Sequence, residues 1–126
     1  MRVIVCGCRD FCDNNLLFRT LDGILSNCGD VEIISGHATG ADKMGEEYAK
    51  SRGLKCAVFK AEWDKYGRIA GPIRNRQMLY YAMEDHPLVI AFWDGKSRGT
   101  KNMIDIAKKV NVATKIILYG RERMTE

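Results

Sequence analysis

Residues 88–100 read LVIAFWDGKSRGT, and this stretch decides the fold class that the sequence predicts. It begins with a run of apolar residues, as in a strand whose two faces are both buried. Asp94 and Gly95 end the run, and a helical pattern begins at about Lys101. A strand buried on both faces and followed by a helix is typical of a parallel sheet with helices on each side.

The same alternation of strand and helix continues along the chain. Strands are also predicted at residues 2–6, 31–35, 55–59 and 114–119, and helices at about 16–28, 41–52, 72–84 and 101–110. Such an alternation requires right-handed crossovers between parallel strands. The sequence therefore predicts an α/β fold, a doubly wound domain with a five-stranded parallel sheet flanked by helices. The most apolar strands, 2–6 and 88–93, should be central, which favours the strand order 3-2-1-4-5.

Two segments lie outside these predicted elements. Residues 60–71 have no clear period and contain two glycines, so they are interpreted as a long loop. Residues 121–126 (RERMTE) have nothing to bury and are expected to form a frayed tail. The predicted folded domain is therefore residues 1–120.

The composition bears on the class of protein. The chain of 126 residues has the size of one compact domain, and no apolar run reaches the roughly 20 residues that span a bilayer. The opening segment MRVIVCGCRD is unlike a signal peptide, so a cytoplasmic location is expected. The net charge of +4 permits an anionic ligand but does not require a nucleic acid.

The five cysteines are interpreted as structural. Their odd number, irregular spacing and lack of a C-x-x-C pair favour reduced thiols over disulfides or a zinc site. Cys6 should point into the core as part of the first strand. We expect neither a metal nor a cofactor.

Glycine-rich corners follow four of the predicted strands, and each leads into a helix. They are GCRDF (7–11), GHATGAD (36–42), GPIRNR (71–76) and DGKSRGT (94–100). In open parallel sheets, ligands bind beyond the carboxyl ends of the strands, at the switch in strand order. Free N–H groups at helix N-termini attract anions, and arginines can form paired hydrogen bonds to a phosphate. The corners therefore predict a phosphate-binding pocket.

The candidate ligand-binding residues all lie at this predicted edge. They are Gly7, Arg9, Ser35, Gly36, Thr39, Gly40, Asp42, Arg74, Asn75, Gly95, Ser97, Arg98, Gly99 and Thr100. Each has a structural alternative. The glycines are needed for the turns in any case, and Ser97 and Thr100 can cap the last helix. Asp42 can hold a ribose hydroxyl, pair with Arg74, or stabilise the first turn of its helix.

The motifs contain no complete catalytic set. A Walker sequence and a strict G-x-G-x-x-G are both missing, which argues against a P-loop nucleotidase and an ordinary dinucleotide fold. Weak candidates for an acid or base are Asp10, Asp42, Asp94 and His37. Trp63 and Tyr66 could stack on a base, and Trp63 could equally fix the loop to the body.

Five blocks in order along nearly the whole chain resemble one known family. They are GCRDF, SGHATGAD, AEWD, AGPIRNRQM and AFWDGKSRGT. The chain resembles the YspA-like branch of the SLOG superfamily, which also contains the LOG (lysine-decarboxylase-like) and Smf/DNA processing A proteins. The resemblance implies a Rossmann-like domain that binds nucleotides or nucleotide-derived ligands. Some members of the superfamily sense such ligands, and others cleave the N-glycosidic bond of a nucleoside monophosphate.

The sequence departs from the family pattern at two corners. The second corner is commonly SGGAxGAD with arginine at x, whereas here His37 replaces the second glycine and Thr39 the arginine. One phosphate contact is therefore lost, or is supplied by Arg9 or Arg98. Hydrolytic LOG proteins have PGGxGTxxE after the fourth strand, and here Met103 stands at the glutamate position. The resemblance therefore disfavours LOG-type hydrolysis.

Three functional hypotheses follow. The first is binding of a phosphorylated nucleoside-type small molecule, as in a sensor. The second is hydrolysis of the N-glycosidic or phosphate bond of a nucleotide, and the third, which is less favoured, is binding of single-stranded nucleic acid. In addition, the apolar and aromatic residues 78–81 exceed what one helix face can bury, which predicts a homodimer.

Overall fold

The computed structural model of the protein describes residues 1–120. Its strands are β1 (Arg2–Gly7), β2 (Glu32–Ser35), β3 (Lys55–Val58), β4 (Pro87–Trp93) and β5 (Ala113–Leu118). Its helices are α1 (Asn14–Leu25), α2 (Ala41–Arg52), α3 (Trp63–Tyr66), α4 (Ala70–Met83) and α5 (Arg98–Lys109). The strands form one sheet in the order β3-β2-β1-β4-β5, and every neighbouring pair is parallel. The predicted α/β fold and strand order are confirmed, while the tail predicted at 121–126 lies outside the described residues.

Alternate residues of β1 face two different apolar layers. Val3 and Val5 belong to the cluster packed against α1 and α2, whereas Ile4 and Cys6 belong to the cluster against α4 and α5. All four are buried, which confirms that Cys6 points into the core. The helices therefore cover both faces of the central strands, as doubly wound folds require.

The two edge strands are less covered than the sequence predicts. Val58 of β3 and Leu118 of β5 are 43% and 52% exposed, and Ile116 is also exposed. The expectation of a sheet covered on both faces holds for the central strands only. The described helices pack mainly over β1, β2 and β4. Several apolar side chains of the edge strands β3 and β5 are therefore exposed.

The prediction of a long loop at residues 60–71 is wrong. This segment forms α3, then a single 3₁₀ turn at Gly67–Ile69, and the start of α4 at Ala70. No residue of α3 or of the turn is buried, so the sequence has no apolar period there to indicate a helix. Pro72 lies in the first turn of α4, where its missing N–H has little effect.

Helix α5 begins at Arg98, a few residues before the predicted start. Asp94 accepts hydrogen bonds from the backbone N–H groups of Lys96 and Ser97, each at 2.8 Å. This local bonding arranges the turn that leads into the helix. Ser97 occupies the position before the first helical residue, but its side chain makes no capping hydrogen bond.

Most of the residues that predicted a homodimer are accommodated within the chain. Met78 and Leu79 are buried, and the Tyr81 hydroxyl donates to Glu32 at 2.8 Å. Tyr80 remains 62% exposed. The homodimer stays a prediction. Among the described residues, none of the helices has the length and apolar character needed to cross a bilayer.

Candidate functional site

A large pocket lies at the carboxyl edge of the sheet, beside the ends of β1 and β4. These strands are neighbours, yet β1 continues into α1 on one face and β4 into α5 on the other. This is the switch in strand order where doubly wound proteins bind ligands. The pocket, called here the main pocket, has a volume of about 590 Å³. It is bounded by the starts of α2, α4 and α5 as well as by both strand ends.

Four arginines from separate segments line the main pocket. Arg9 follows β1, Arg68 lies in the 3₁₀ turn, Arg74 is in α4, and Arg98 is the first residue of α5. Arg9, Arg68 and Arg98 are exposed, so their guanidinium groups can reach a ligand. The arginines favour binding of a negatively charged group at this edge of the sheet.

Arg74 is the fixed member of this group. Its Nη1 donates to the carbonyl oxygen of Gly36 at 2.7 Å, and its Nε donates to Asn75 Oδ1 at 3.1 Å. Asn75 is buried and in turn donates through Nδ2 to the carbonyl oxygen of Gly99 at 3.2 Å. Burial lowers the pKa of Arg74, although the guanidinium remains charged. These bonds hold a cation in a defined place between the second and fourth corners.

Asp42 is a buried carboxyl group in the first turn of α2. It is 5% exposed, and its Oδ2 accepts from the backbone N–H of Ala38 at 3.4 Å. Burial raises its pKa to about 6, against the opposing effects of Arg74 and of nearby backbone N–H groups. Asp42 therefore titrates within the range in which a ligand phosphate also titrates.

Asp42 gives the stability a pH dependence of a defined sign. Its pKa is about 6 in the folded protein, and about 4 in the unfolded chain. Between these values the folded protein holds the proton and the unfolded chain does not, so the contribution of Asp42 to stability is greatest below about pH 4 and is lost as pH rises through about pH 6. The loss is about 3 kcal/mol at most. Urea unfolding at several pH values should show that Asp42→Asn removes this loss.

Asp94 provides the matched control for this prediction. Backbone N–H groups of Ser97 and Lys96 lower the pKa of its carboxyl, so its contribution is present at neutral pH and is lost as pH falls. The stability difference between Asp94→Asn and the unchanged protein should thus vary with pH in the opposite direction. A pH-independent difference for Asp42→Asn would contradict the prediction.

A thiol and two carboxyl groups meet at the rim of the main pocket. Cys8, Asp10 and Asp94 each have a ligand atom within 4.8 Å of the others, and within residues 1–120 they form a group with the spacing that a metal ion would need. The three are already engaged within the protein. Asp10 accepts from the Tyr119 hydroxyl at 2.8 Å, and Cys8 Sγ accepts from the Asp94 N–H at 3.4 Å. We therefore assign no metal to them.

A second, smaller pocket adjoins the main pocket and is called here the side pocket. Its volume is about 330 Å³. It is lined by Arg9, Gly36, His37, Ala38, Thr39, Lys60, Ala61, Trp63 and Arg74. Arg9, Ala38, Trp63 and Arg74 also line the main pocket, so the two form neighbouring compartments with a shared wall.

Most of the residues predicted from the sequence line one of these pockets. Gly7, Arg9, Asp10, Asp42, Arg74, Asn75, Asp94, Ser97, Arg98, Gly99 and Thr100 line the main pocket. Gly36, His37 and Thr39 line the side pocket. Their contacts with a ligand remain a prediction.

Three predicted residues line neither pocket. Ser35 is fully buried, and its hydroxyl bonds to the Glu46 carboxylate at 2.7 Å. Gly40 has a φ of 85° and lies against the backbone of the first corner. Gly95 is exposed with a φ of 83° and has open space around it. Ser35 and Gly40 therefore support the walls of the site without lining it. Gly95 provides the positive φ that its turn requires.

Only one of the two candidate stacking aromatics lies at the site. Trp63 is 49% exposed and lines both pockets, and its ring reaches over Gly71. Tyr66 lines neither pocket and instead lies beneath the Lys65 ammonium. Trp63 is therefore the residue available to stack on a base.

Sequence reasoning missed several residues that the fold brings to the site. Arg68, Lys60 and Ala61 were missed because their segment was interpreted as an unplaced loop. Met78 and Met103, which line the main pocket, follow the helical period and so resemble ordinary core residues. Glu46 could have been found, since it stands four residues after Asp42 and so shares its helix face.

The fold and the position of the pockets define a doubly wound α/β protein with a candidate ligand site at the switch in strand order. The sequence model of the YspA, cpYpsA-related SLOG family matches residues 1–66, and the protein belongs to this family. The match runs from β1 through α3. It confirms the predicted YspA-like branch, and membership suggests nucleotide-related binding or processing.

The chain is also similar to the Gene 61 protein of Mycobacterium phage D29. The two are 26% identical over an alignment 125 residues long, and this alignment covers 94% of this chain and 96% of the phage protein. No solved structure gave a significant match.

Proposed function

We propose that the protein binds a nucleotide or a nucleotide-derived phosphorylated ligand in the main pocket, as a sensor of that ligand would. The observation that carries the proposal is the convergence of Arg9, Arg68, Arg74 and Arg98 on one pocket at the switch in strand order. Guanidinium groups bind phosphate oxygens through paired hydrogen bonds. The N-terminus of α5, whose first N–H groups have no helical partner, also borders this pocket and adds to its attraction for negative charge.

The size and the walls of the main pocket support a small nucleoside-type ligand. About 590 Å³ lies within the usual range of small-molecule sites. The exposed ring of Trp63 offers a face on which a base can stack, while Met78 and Met103 provide an apolar floor.

Acidic groups in the same pocket favour a small ligand over a nucleic acid. Asp10, Asp42 and Asp94 line the pocket beside the arginines. Carboxylates can accept hydrogen bonds from ribose hydroxyls, whereas they repel the continuous negative charge of a polynucleotide. The mixture of charges fits one or two phosphates attached to a sugar.

Thermal unfolding with a panel of ligands tests the proposal. A nucleoside monophosphate, a nucleoside diphosphate or an NAD-derived compound that binds should raise Tm, with about 2.7 kcal/mol of added stability at a hundred times its Kd. Arg98→Gln should reduce the shift, because it removes a cation from the pocket. Arg19→Gln is the control, since Arg19 is an exposed residue of α1 outside both pockets. A panel that gives no shift with the unchanged protein would refute the proposal.

A further inference from the structure

The side pocket contains a histidine that a carboxylate holds in place. His37 Nδ1 lies 2.8 Å from Glu46 Oε2, and the same oxygen accepts the hydroxyl of Ser35 at 2.7 Å. The backbone N–H of His37 donates back to the Ser35 Oγ at 3.0 Å. The imidazole is thus fixed both through its ring and through its backbone.

This arrangement decides which ring nitrogen is left free of the carboxylate. A carboxylate only accepts hydrogen bonds, so the proton between the two groups belongs to Nδ1 of His37. Nε2 is then the nitrogen left for other partners, and within residues 1–120 it has no hydrogen-bond partner. A neutral imidazole in this form can accept a proton at Nε2.

The backbone of His37 is strained. Its φ is 64°, in the left-handed region where a side chain other than glycine is uncommon. Glycine would adopt this conformation without cost. Such strain is concentrated at functional sites, where the surrounding structure maintains it.

Cations surround the same compartment. Arg9, Arg74 and Lys60 line the side pocket with His37, and both arginines also belong to the main pocket. A phosphate held at the shared arginines would therefore lie in the compartment that His37 lines. The cations can stabilise the negative charge on the phosphoryl oxygens during transfer to water.

We propose that the protein hydrolyses phosphate monoesters, with nucleoside monophosphates as the substrate class and His37 as the catalytic general base. This inference rests on the proposed binding of a phosphorylated ligand. His37 Nε2 takes a proton from a water molecule while the water oxygen forms a bond to phosphorus. The bond from phosphorus to the ester oxygen on the opposite side breaks, and its electron pair stays on that oxygen, which takes a proton from solvent water. The imidazolium then releases its own proton to solvent. The products are an alcohol and inorganic phosphate.

Glu46 is a positioning residue in this mechanism. It orients the ring and favours the form with the proton on Nδ1, as the carboxylate does in other acid–base pairs. Glu46→Gln should lower kcat and leave KM nearly unchanged, because the residue lies outside the lining of both pockets.

Release of inorganic phosphate from adenosine monophosphate and from p-nitrophenyl phosphate tests the proposal. His37→Gly and His37→Asn should each reduce the rate by about 100-fold or more. Both residues tolerate a positive φ, so both variants are suited to the native backbone. Added imidazole should restore part of the activity of His37→Gly, an effect that a structural role for the histidine would not produce.

His86→Asn is the matched control. His86 also has a positive φ, of 45°, and also pairs through Nδ1 with a carboxylate, that of Asp85 at 2.8 Å. It lies outside both pockets, so its variant should release phosphate at the rate of the unchanged protein.

The possible outcomes separate this inference from the proposed function. A ligand that raises Tm without release of phosphate would overturn the hydrolysis and leave the binding proposal intact. Equal release by the unchanged protein and His37→Gly would also overturn it, since the activity would not depend on His37. The absence of any ligand-induced shift in Tm would refute the binding proposal itself.

Discussion

Replacement of Gly40 by alanine is expected to lower the free energy of unfolding by about 2–6 kcal/mol. Gly40 has φ 85° and ψ −132°, a conformation that is essentially restricted to glycine. An added Cβ would overlap the carbonyl oxygen of Cys8 and lie 2.7 Å from that of Arg9. Both oxygens belong to the backbone of the first corner, so they cannot move aside as a flexible side chain would.

Gly95→Ala separates the two causes of this loss. Gly95 has nearly the same φ, 83°, but no neighbouring atom within 4 Å of the added Cβ. It should therefore lose only about 1–2 kcal/mol from backbone strain. Urea unfolding measures the free energy of unfolding of both variants, and an unchanged m value would show that the difference is one of stability alone. Equal losses of stability in the two variants would show that the contact of the added Cβ with the first corner contributes nothing to the loss in Gly40→Ala.

Arg74→Met is expected to weaken binding of a phosphorylated ligand by about 100-fold. Removal of two charged hydrogen bonds to a phosphate corresponds to about 3 kcal/mol. Arg74 is the arginine that the fold holds in place, through Gly36 and Asn75, so the exposed arginines of the same pocket should not replace it. The affinity can be measured by calorimetry with the ligand that gives the largest shift in Tm.

Arg76→Met is the control for this prediction. Arg76 is an exposed arginine of the same helix and lines neither pocket. Its variant has the same change in net charge and should bind as the unchanged protein does. If both variants weakened binding equally, the effect would come from overall charge and not from Arg74.

The central part of the fold could be predicted because its sequence signal is strong. The residues from Leu88 to Phe92 are all buried, and a short apolar run bounded by Pro87 and Gly95 is typical of a strand covered on both faces. Glycine corners after β1, β2 and β4 then indicated the ligand edge, since parallel strands bring their carboxyl ends together. Arg9 and Arg98 follow from this placement alone, whereas Arg74 was predicted from a corner at residues 71–76 that lies inside α4 in the structure.

The remainder of the site depends on packing that a local pattern does not encode. Trp63 and Arg68 lie in a helical segment without a buried residue, so no period marks it. Ser35 was expected at the ligand, yet it ends a buried strand and bonds to Glu46 from the next helix. Such a pairing between elements becomes visible only when α2 is placed against β2.

The hydrogen bonds of Arg74 and Asn75 form a continuous relay from the second corner to the fourth. The chain of donors and acceptors runs from Gly36 through these two side chains to Gly99. Groups joined in one network do not respond to change independently. Substitutions at the two corners should therefore have nonadditive energies, and a molecule that displaces the start of α5 also alters the surroundings of Gly36.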